Sequence, residues 1–160
     1  MFVLGVDPGL TTTGYGLLLG GLAPTVHLMG VIRTDPSRSV SERLAELHKD
    51  LASVMADFPP TVVAIEQVFT NANRRTAMNV GRASGVAMLA AAQQGVDVAE
   101  YTPTAVKAAV TGDGRATKSQ VQQVLMRRLR LATLPEPFDA ADALALAMCH
   151  LQSIRLEAVG

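Results

Sequence analysis

Two short apolar runs each end on a carboxylate, and they constrain this chain more than any other feature. Phe2-Val3-Leu4-Gly5-Val6 leads into Asp7, and Val62-Val63-Ala64-Ile65 leads into Glu66. Apolar runs of this length, bounded by turn residues such as Pro8-Gly9 and Pro59-Pro60, read as strands buried on both faces. Tyr15 to Leu19 reads as a second strand. Gly20-Gly21 signals a hairpin, and Thr25 to Arg33 returns as a third strand. Val40, Leu44, Leu47, Leu51, Val54 and Phe58 recur at spacings of four and three, which predicts an amphipathic helix. After the strand that ends at Glu66, a helix is expected from Arg74 to Gln94, then a strand from Val96 to Tyr101. Thr102-Pro103 opens a short helix that stops near Gly112. Thr117 with Gln120 has the form of a capping box for another helix, and Pro135 and Pro137 precede the last one. The order β-β-β-α-β-α-β, followed by helices, predicts an α/β domain spanning 1–160. Its five-stranded mixed sheet has three antiparallel strands, then two reached by helical crossovers, with helices on both faces.

On that topology the carboxylates become informative. Asp7 and Glu66 sit at the C-terminal ends of strands, where open sheets build their sites. Asp139 and Asp142 open the last helix three residues apart, so they project from one face. All four lie beside apolar residues, with no lysine or arginine close in sequence. Each alone has an ordinary use, as a turn cap, a strand-end surface group or a complement to a helix dipole. Together they need positive charge, because an ionised carboxylate is rarely buried without a partner. A hard divalent cation such as Mg2+ or Mn2+ takes oxygen ligands. Two ions, roughly 3.5–4 Å apart, would activate a water and stabilise a leaving oxygen. The expectation is a phosphoryl-transfer or nuclease site.

Hydrophobic residues make up 49% and charged residues 18%, which excludes a disordered chain. A single cysteine, Cys149, excludes an internal disulfide and points to a reducing compartment. No secretory leader opens the sequence and no apolar run reaches the roughly 18 residues of a membrane span. A soluble, cytoplasmic protein without a membrane partner is expected. The net charge is zero but unevenly spread. From Gln67 to Ala132 there are nine basic residues against three acidic, a net +6, and the rest of the chain carries −6, including all four carboxylates. A basic middle beside an acidic cluster suits a polyanion held over a metal site.

The motifs resemble a known family. Gly5-Val6-Asp7-Pro8-Gly9 with Gly14-Tyr15-Gly16 is similar to the opening of the RuvC family of bacterial Holliday-junction resolvases, within the ribonuclease-H-like superfamily. The likeness continues through Ala64-Ile65-Glu66-Gln67-Val68-Phe69, Gly81-Arg82-Ala83-Ser84-Gly85 and Tyr101-Thr102-Pro103. It then runs through Val106-Lys107, Thr111-Gly112-Asp113-Gly114, Lys118-Ser119-Gln120-Val121 and Asp139-Ala140-Ala141-Asp142-Ala143-Leu144-Ala145. The Asp-Pro-Gly opening also occurs in actin-like kinases, but a second domain of that kind has no room in 160 residues.

The resemblance implies a ribonuclease-H-like fold and a metal-dependent endonuclease that cuts four-way junctions in pairs, for recombination and repair. It implies that Asp7, Glu66, Asp139 and Asp142 are the catalytic metal ligands. Asp7 would bridge two ions, Glu66 and Asp142 would orient one, and Asp139 would complete the set. Phe69 matches the family's aromatic at the junction centre, where an exposed ring stacks on a base for about 1–3 kcal/mol. Lys107 and Lys118 match basic residues near the DNA backbone. Lys118 opens a helix, where a cation opposes the dipole, so a phosphate contact is the better reason for it. Arg115 follows the Gly112-Asp113-Gly114 loop, read as mobile, and is a further candidate contact. Thr70 to Thr76 departs from the family's sequence, which leaves Asn73, Arg74 and Arg75 as candidate contacts without a matching motif. Ala77, Gly81 and Gly85 recur every four residues and allow close approach of another helix, from the chain's own core or from a second subunit; the resemblance favours a homodimer. It also implies the RuvA-RuvB branch-migration complex as a partner. His27, His48 and His150 show no ligand spacing and are assigned no role. A junction-binding domain without catalysis is the competing class, and the four carboxylates argue against it because they would repel phosphate.

Overall fold

The computed structural model describes residues 1–68 and 73–159. The elements in chain order are β1 (Phe2–Asp7), β2 (Thr12–Leu19), β3 (Thr25–Arg33), α1 (Val40–Asp57), β4 (Val62–Glu66), α2 (Arg74–Gln93), β5 (Asp97–Tyr101), α3 (Pro103–Thr111), α4 (Lys118–Arg128) and α5 (Phe138–Glu157). The sheet runs β3-β2-β1-β4-β5, antiparallel from β3 to β1 and parallel from β1 to β5. The expected architecture is present. Strand β2 starts earlier than the sequence suggested, because Thr12 and Thr13 pair with Arg33 and Ile32. Gly14, a poor strand former, had hidden that extension.

The sheet is covered on both sides. Leu4, Val6, Val63 and Ile65 pack with Leu47, Leu51, Met55, Ala83 and Ala87 of α1 and α2. Val3, Val62 and Ala64 pack on the other side with α3, α4 and α5. Side chains alternate along a strand. Asp7 therefore follows Val3 and Gly5, and Glu66 follows Val62 and Ala64, onto the α5 side. Val6 pairs with Ile65, which sets the two acidic residues at the same end of adjacent strands.

Helix α5 is the centre of that second layer. Ala140, Ala141 and every residue from Ala143 to Leu151 are buried. Full burial of Leu144, Leu146 or Met148 contributes about 1.5–3 kcal/mol each. The helix lies unusually close to the sheet. A Cβ at Gly5 would overlap the carbonyl oxygen of Ala143, and one at Gly14 would overlap that of Asp139. Only glycine permits this approach, and it brings the start of α5 down to the end of β1.

The helix boundaries follow the expected caps. Ser39 and Glu42 form a capping box on α1, and Thr117 and Gln120 form one on α4. Thr102 caps α3 ahead of Pro103, and Gly112 ends it in the left-handed region at φ 83°.

Candidate active site

Asp7, Glu66 and Asp142 line one cavity of about 260 Å³ together with Lys107, Lys118, Pro103, Val106 and Val121. Its floor is the end of β1 and β4, one wall is α5, and the other wall is α3 and the start of α4. Asp139 stands off the cavity wall, close enough for its charge to act on Asp7. The structure thus brings three of the four acidic residues singled out in the sequence to one cavity, with Asp139 near enough to act on Asp7.

The electrostatics are those of a crowded anionic site. Burial, with the charges of Asp142, Glu66 and Asp139, pushes the Asp7 carboxyl up to about 8. Burial and the charge of Asp142 also raise Glu66, while Lys118 and Lys107 act to lower it. Four carboxylates face two ammonium groups, so the ionised site is short of positive charge.

The carboxylates are not left without a basic partner. The ammonium of Lys118 donates to Asp142 Oδ2 at 2.9 Å. It also stands 5.8 Å from the ring centroid of Phe138. The lysine is 24 residues away in sequence and arrives only because α4 packs beside α5. The hydrogen bond to Asp142 is the main cause of its raised pKa. In this DNA-free structure the Lys118 ammonium is held by a carboxylate. Lys107, on α3, lines the same cavity as expected.

The loop after Asp7 is held firmly. Thr13 Oγ1 donates to the Gly9 carbonyl at 2.6 Å, and Thr34 Oγ1 donates to that of Leu10 at 2.5 Å. Arg43, a buried arginine on α1, donates from Nε to Thr34 Oγ1 at 2.9 Å and from its terminal nitrogen to Thr11 Oγ1 at 3.0 Å. These bonds fix the backbone that aims Asp7. The sequence reading missed Arg43. It lies four residues before Leu47 on the Leu47-Leu51-Met55 stripe, and a charge on a buried stripe is the signal that could have found it. Phe138 was missed as well. Its ring is 46% exposed beside the site, at the first position of α5.

The other candidates lie around this cavity or away from it. Asn73 caps α2, accepting from the Arg75 amide at 3.0 Å. Arg74 and Arg75 are exposed in the first turn, where their charges oppose the helix dipole. Arg115 is exposed after a loop that is tied internally: its amide donates to Asp113 Oδ1 at 2.8 Å, and Thr111 Oγ1 donates to the Asp113 carbonyl at 3.0 Å. Phe69 lies outside the described residues. Among the described residues nothing would touch a Cβ at Gly81 or Gly85, so those glycines are not required by packing there. His150 is buried, with the Tyr101 hydroxyl 2.7 Å from its Nδ1.

A family model, crossover junction endodeoxyribonuclease RuvC, matches residues 3–150. The chain belongs to the RuvC family. A crossover junction endodeoxyribonuclease RuvC of Frankia casuarinae is 50% identical over 153 residues, covering 94% of this chain and 89% of the relative. The structure of Thermus thermophilus RuvC superposes with a TM-score of 0.90 at 35% identity, covering 98% of this chain and 97% of that one. T. thermophilus RuvC in complex with a Holliday junction substrate gives a TM-score of 0.92 at 35% identity, covering 98% and 96%. With RuvC the ribonuclease-H-like reading of the fold stands.

Proposed function

We propose that this protein is a structure-selective DNA endonuclease that resolves four-way junctions by paired, symmetric nicks, in recombination and repair. One observation carries the reading. Asp7, Glu66 and Asp142 meet in a single cavity at the end of the sheet, on a chain whose relatives are crossover junction endodeoxyribonucleases. The competing binding module gains nothing from an acidic cluster whose charges push the Asp7 and Glu66 carboxyls up.

The residues fit divalent cations. The donors are all carboxylate oxygens, and the site lacks positive charge even with both lysines counted. Asp7, Glu66, Asp139 and Asp142 would hold Mg2+ or Mn2+, two ions in the full site. Such ions supply Lewis-acid activation of water and neutralise the leaving oxygen. Asp7 is positioned by the pinned loop, Glu66 by the neighbouring strand, and the two aspartates by the glycine-mediated approach of α5. Lys107 and Lys118 line the cavity and would hold the backbone phosphates, with Asn73, Arg74, Arg75 and Arg115 as further contacts along the DNA. Phe69 would stack in the junction, so Phe69→Ala should impair junction processing more than stability.

A four-way junction has twofold symmetry, and so does a closed dimer. The exposed face of α2 supports a homodimer. Met78 and Leu89 are 53% and 51% exposed, and Gly85 between them is open. The family resemblance supports the RuvA-RuvB complex as a partner. A cytoplasmic setting belongs to the same reading; among the described residues no helix is long and apolar enough to cross a membrane.

Cleavage of a synthetic junction with and without Mg2+ or Mn2+, beside a gel-shift of the same DNA, tests the proposal. Metal-dependent scission at symmetric positions is expected. Binding without scission under every metal condition would leave the binding module as the better reading.

A further inference from the structure

Lys118 occupies an odd place. Its ammonium is at the first residue of α4, where the helix dipole disfavours a cation. It is held there by two contacts from the start of α5, Asp142 Oδ2 at 2.9 Å and the Phe138 ring at 5.8 Å. Phe138 is otherwise a large exposed ring with little reason to be apolar. Among the described residues, no three acidic, histidine or cysteine side chains are gathered closely enough to hold an ion as they stand. The cation inside the acidic cluster is the lysine. Its side chain is 62% exposed, so the stem has room to swing away.

We propose that Lys118 is the resident counter-cation of the site and gives way when a divalent ion binds. Asp142 then exchanges one cation for another, and the released ammonium turns toward the substrate phosphate at the cavity mouth. Metal loading and DNA grip are coupled through this one side chain, and by linkage each strengthens the other. Phe138 is a positioning residue: its ring face seats the ammonium while the site is empty of metal. The inference rests on the metal-dependent reading given above.

The test uses the DNA-free protein, and binding is read instead of cleavage. Mn2+ affinity is measured by calorimetry for the wild type, Lys118→Met, Lys107→Met, Phe138→Ala and Asp7→Asn. Lys118→Met keeps the stem and removes the competing charge, and should tighten Mn2+ binding about fivefold, the scale of one partly exposed ion pair. Lys107 lines the same cavity without an ion pair among the described residues. Its variant should change affinity less than about twofold, and Phe138→Ala should tighten it about twofold. In a second measurement, the Lys118 Nζ resonance of the wild type is followed by NMR as Mg2+ is added; it should shift with the midpoint of metal binding. Unchanged or weaker Mn2+ binding in Lys118→Met, equal tightening in Lys107→Met, or an Nζ resonance unmoved at saturating Mg2+ overturns the exchange while leaving the metal site standing. If the wild type shows no Mn2+ binding that Asp7→Asn removes, the metal reading fails and this inference falls with it.

Discussion

Helices α2 and α5 are each 20 residues long and rich in small side chains, yet they do opposite things. In α5 the small residues are buried, and Gly5 and Gly14 on the sheet let its backbone touch the strands. In α2 a Cβ at Gly81 or Gly85 would meet nothing among the described residues. The first turns differ as well. The first turn of α5 carries Asp139, which suits the dipole, whereas that of α2 carries Arg74 and Arg75, which oppose it. A small-residue stripe is thus a statement about close approach, and the partner decides its meaning. For α5 the partner is the sheet, and the result is a rigid acidic site. On α2 the other face, with Ala83 and Ala87, packs on the core, while the Gly81–Gly85 stripe has no partner among the described residues and is left, with the helix's cations, for other molecules.

The contrast is sharpest in catalysis against binding. Asp7→Asn or Glu66→Gln should lower junction cleavage by about a thousandfold while junction binding persists. Arg74→Ala and Arg75→Ala should do the converse. Each should weaken binding across all sequences and reduce the salt slope by roughly one, with little effect on the cutting rate at saturating protein. Strand scission retained in purified Asp7→Asn would defeat the division of labour between the acidic site beneath α5 and the cations of α2.

The glycines supply the next test. Gly85→Leu on α2 should shift the protein toward monomer by light scattering. A cruciform plasmid should then accumulate nicked instead of linear product. Dimers of Gly85→Leu that cut both strands normally would leave α2 without its proposed partner. Gly5→Ala forces a methyl into the α5 backbone and should cost about 3 kcal/mol, read as a drop in melting temperature of roughly 6–12 °C. Gly85→Ala, measured in dilute protein, should stabilise the chain by about 0.5–1 kcal/mol, because the helix gains a better former and no atom is displaced.

The same comparison predicts a pH dependence confined to the α5 side. Asp7 is raised from 3.8 to about 8 by folding. The folded protein therefore binds a proton there that the unfolded chain has released, and the stability this brings is complete below about 4 and lost as pH rises through about 8. In metal-free protein, Asp7→Asn should melt several degrees above the wild type at pH 8.5, with the gap closing toward pH 4. A gap independent of pH would mean that the four carboxylates do not repel one another as their positions indicate.

Much of this was legible in the residues because it depends on local pattern. Strand runs, caps at Thr102 and Thr117, and the three-residue spacing of Asp139 and Asp142 all follow from chain periodicity and backbone hydrogen bonding. The parity that sends Asp7 and Glu66 to one face is also written there, as positions two and four residues beyond Gly5 and Val3, and beyond Ala64 and Val62. What the chain alone could not tell was which face, and against what. That was settled by the contact of α5 with Gly5 and Gly14, a packing event between segments more than 120 residues apart. The same holds for Lys118. Nothing within a few residues of Asp142 hints at an ammonium 2.9 Å away, because α4 reaches α5 only through the tertiary fold. Local sequence determined which side chains bear charge and where helices and strands begin. Only the assembled layers decided which charges neutralise one another, because Coulomb energy and desolvation depend on distance in space and not on distance along the chain.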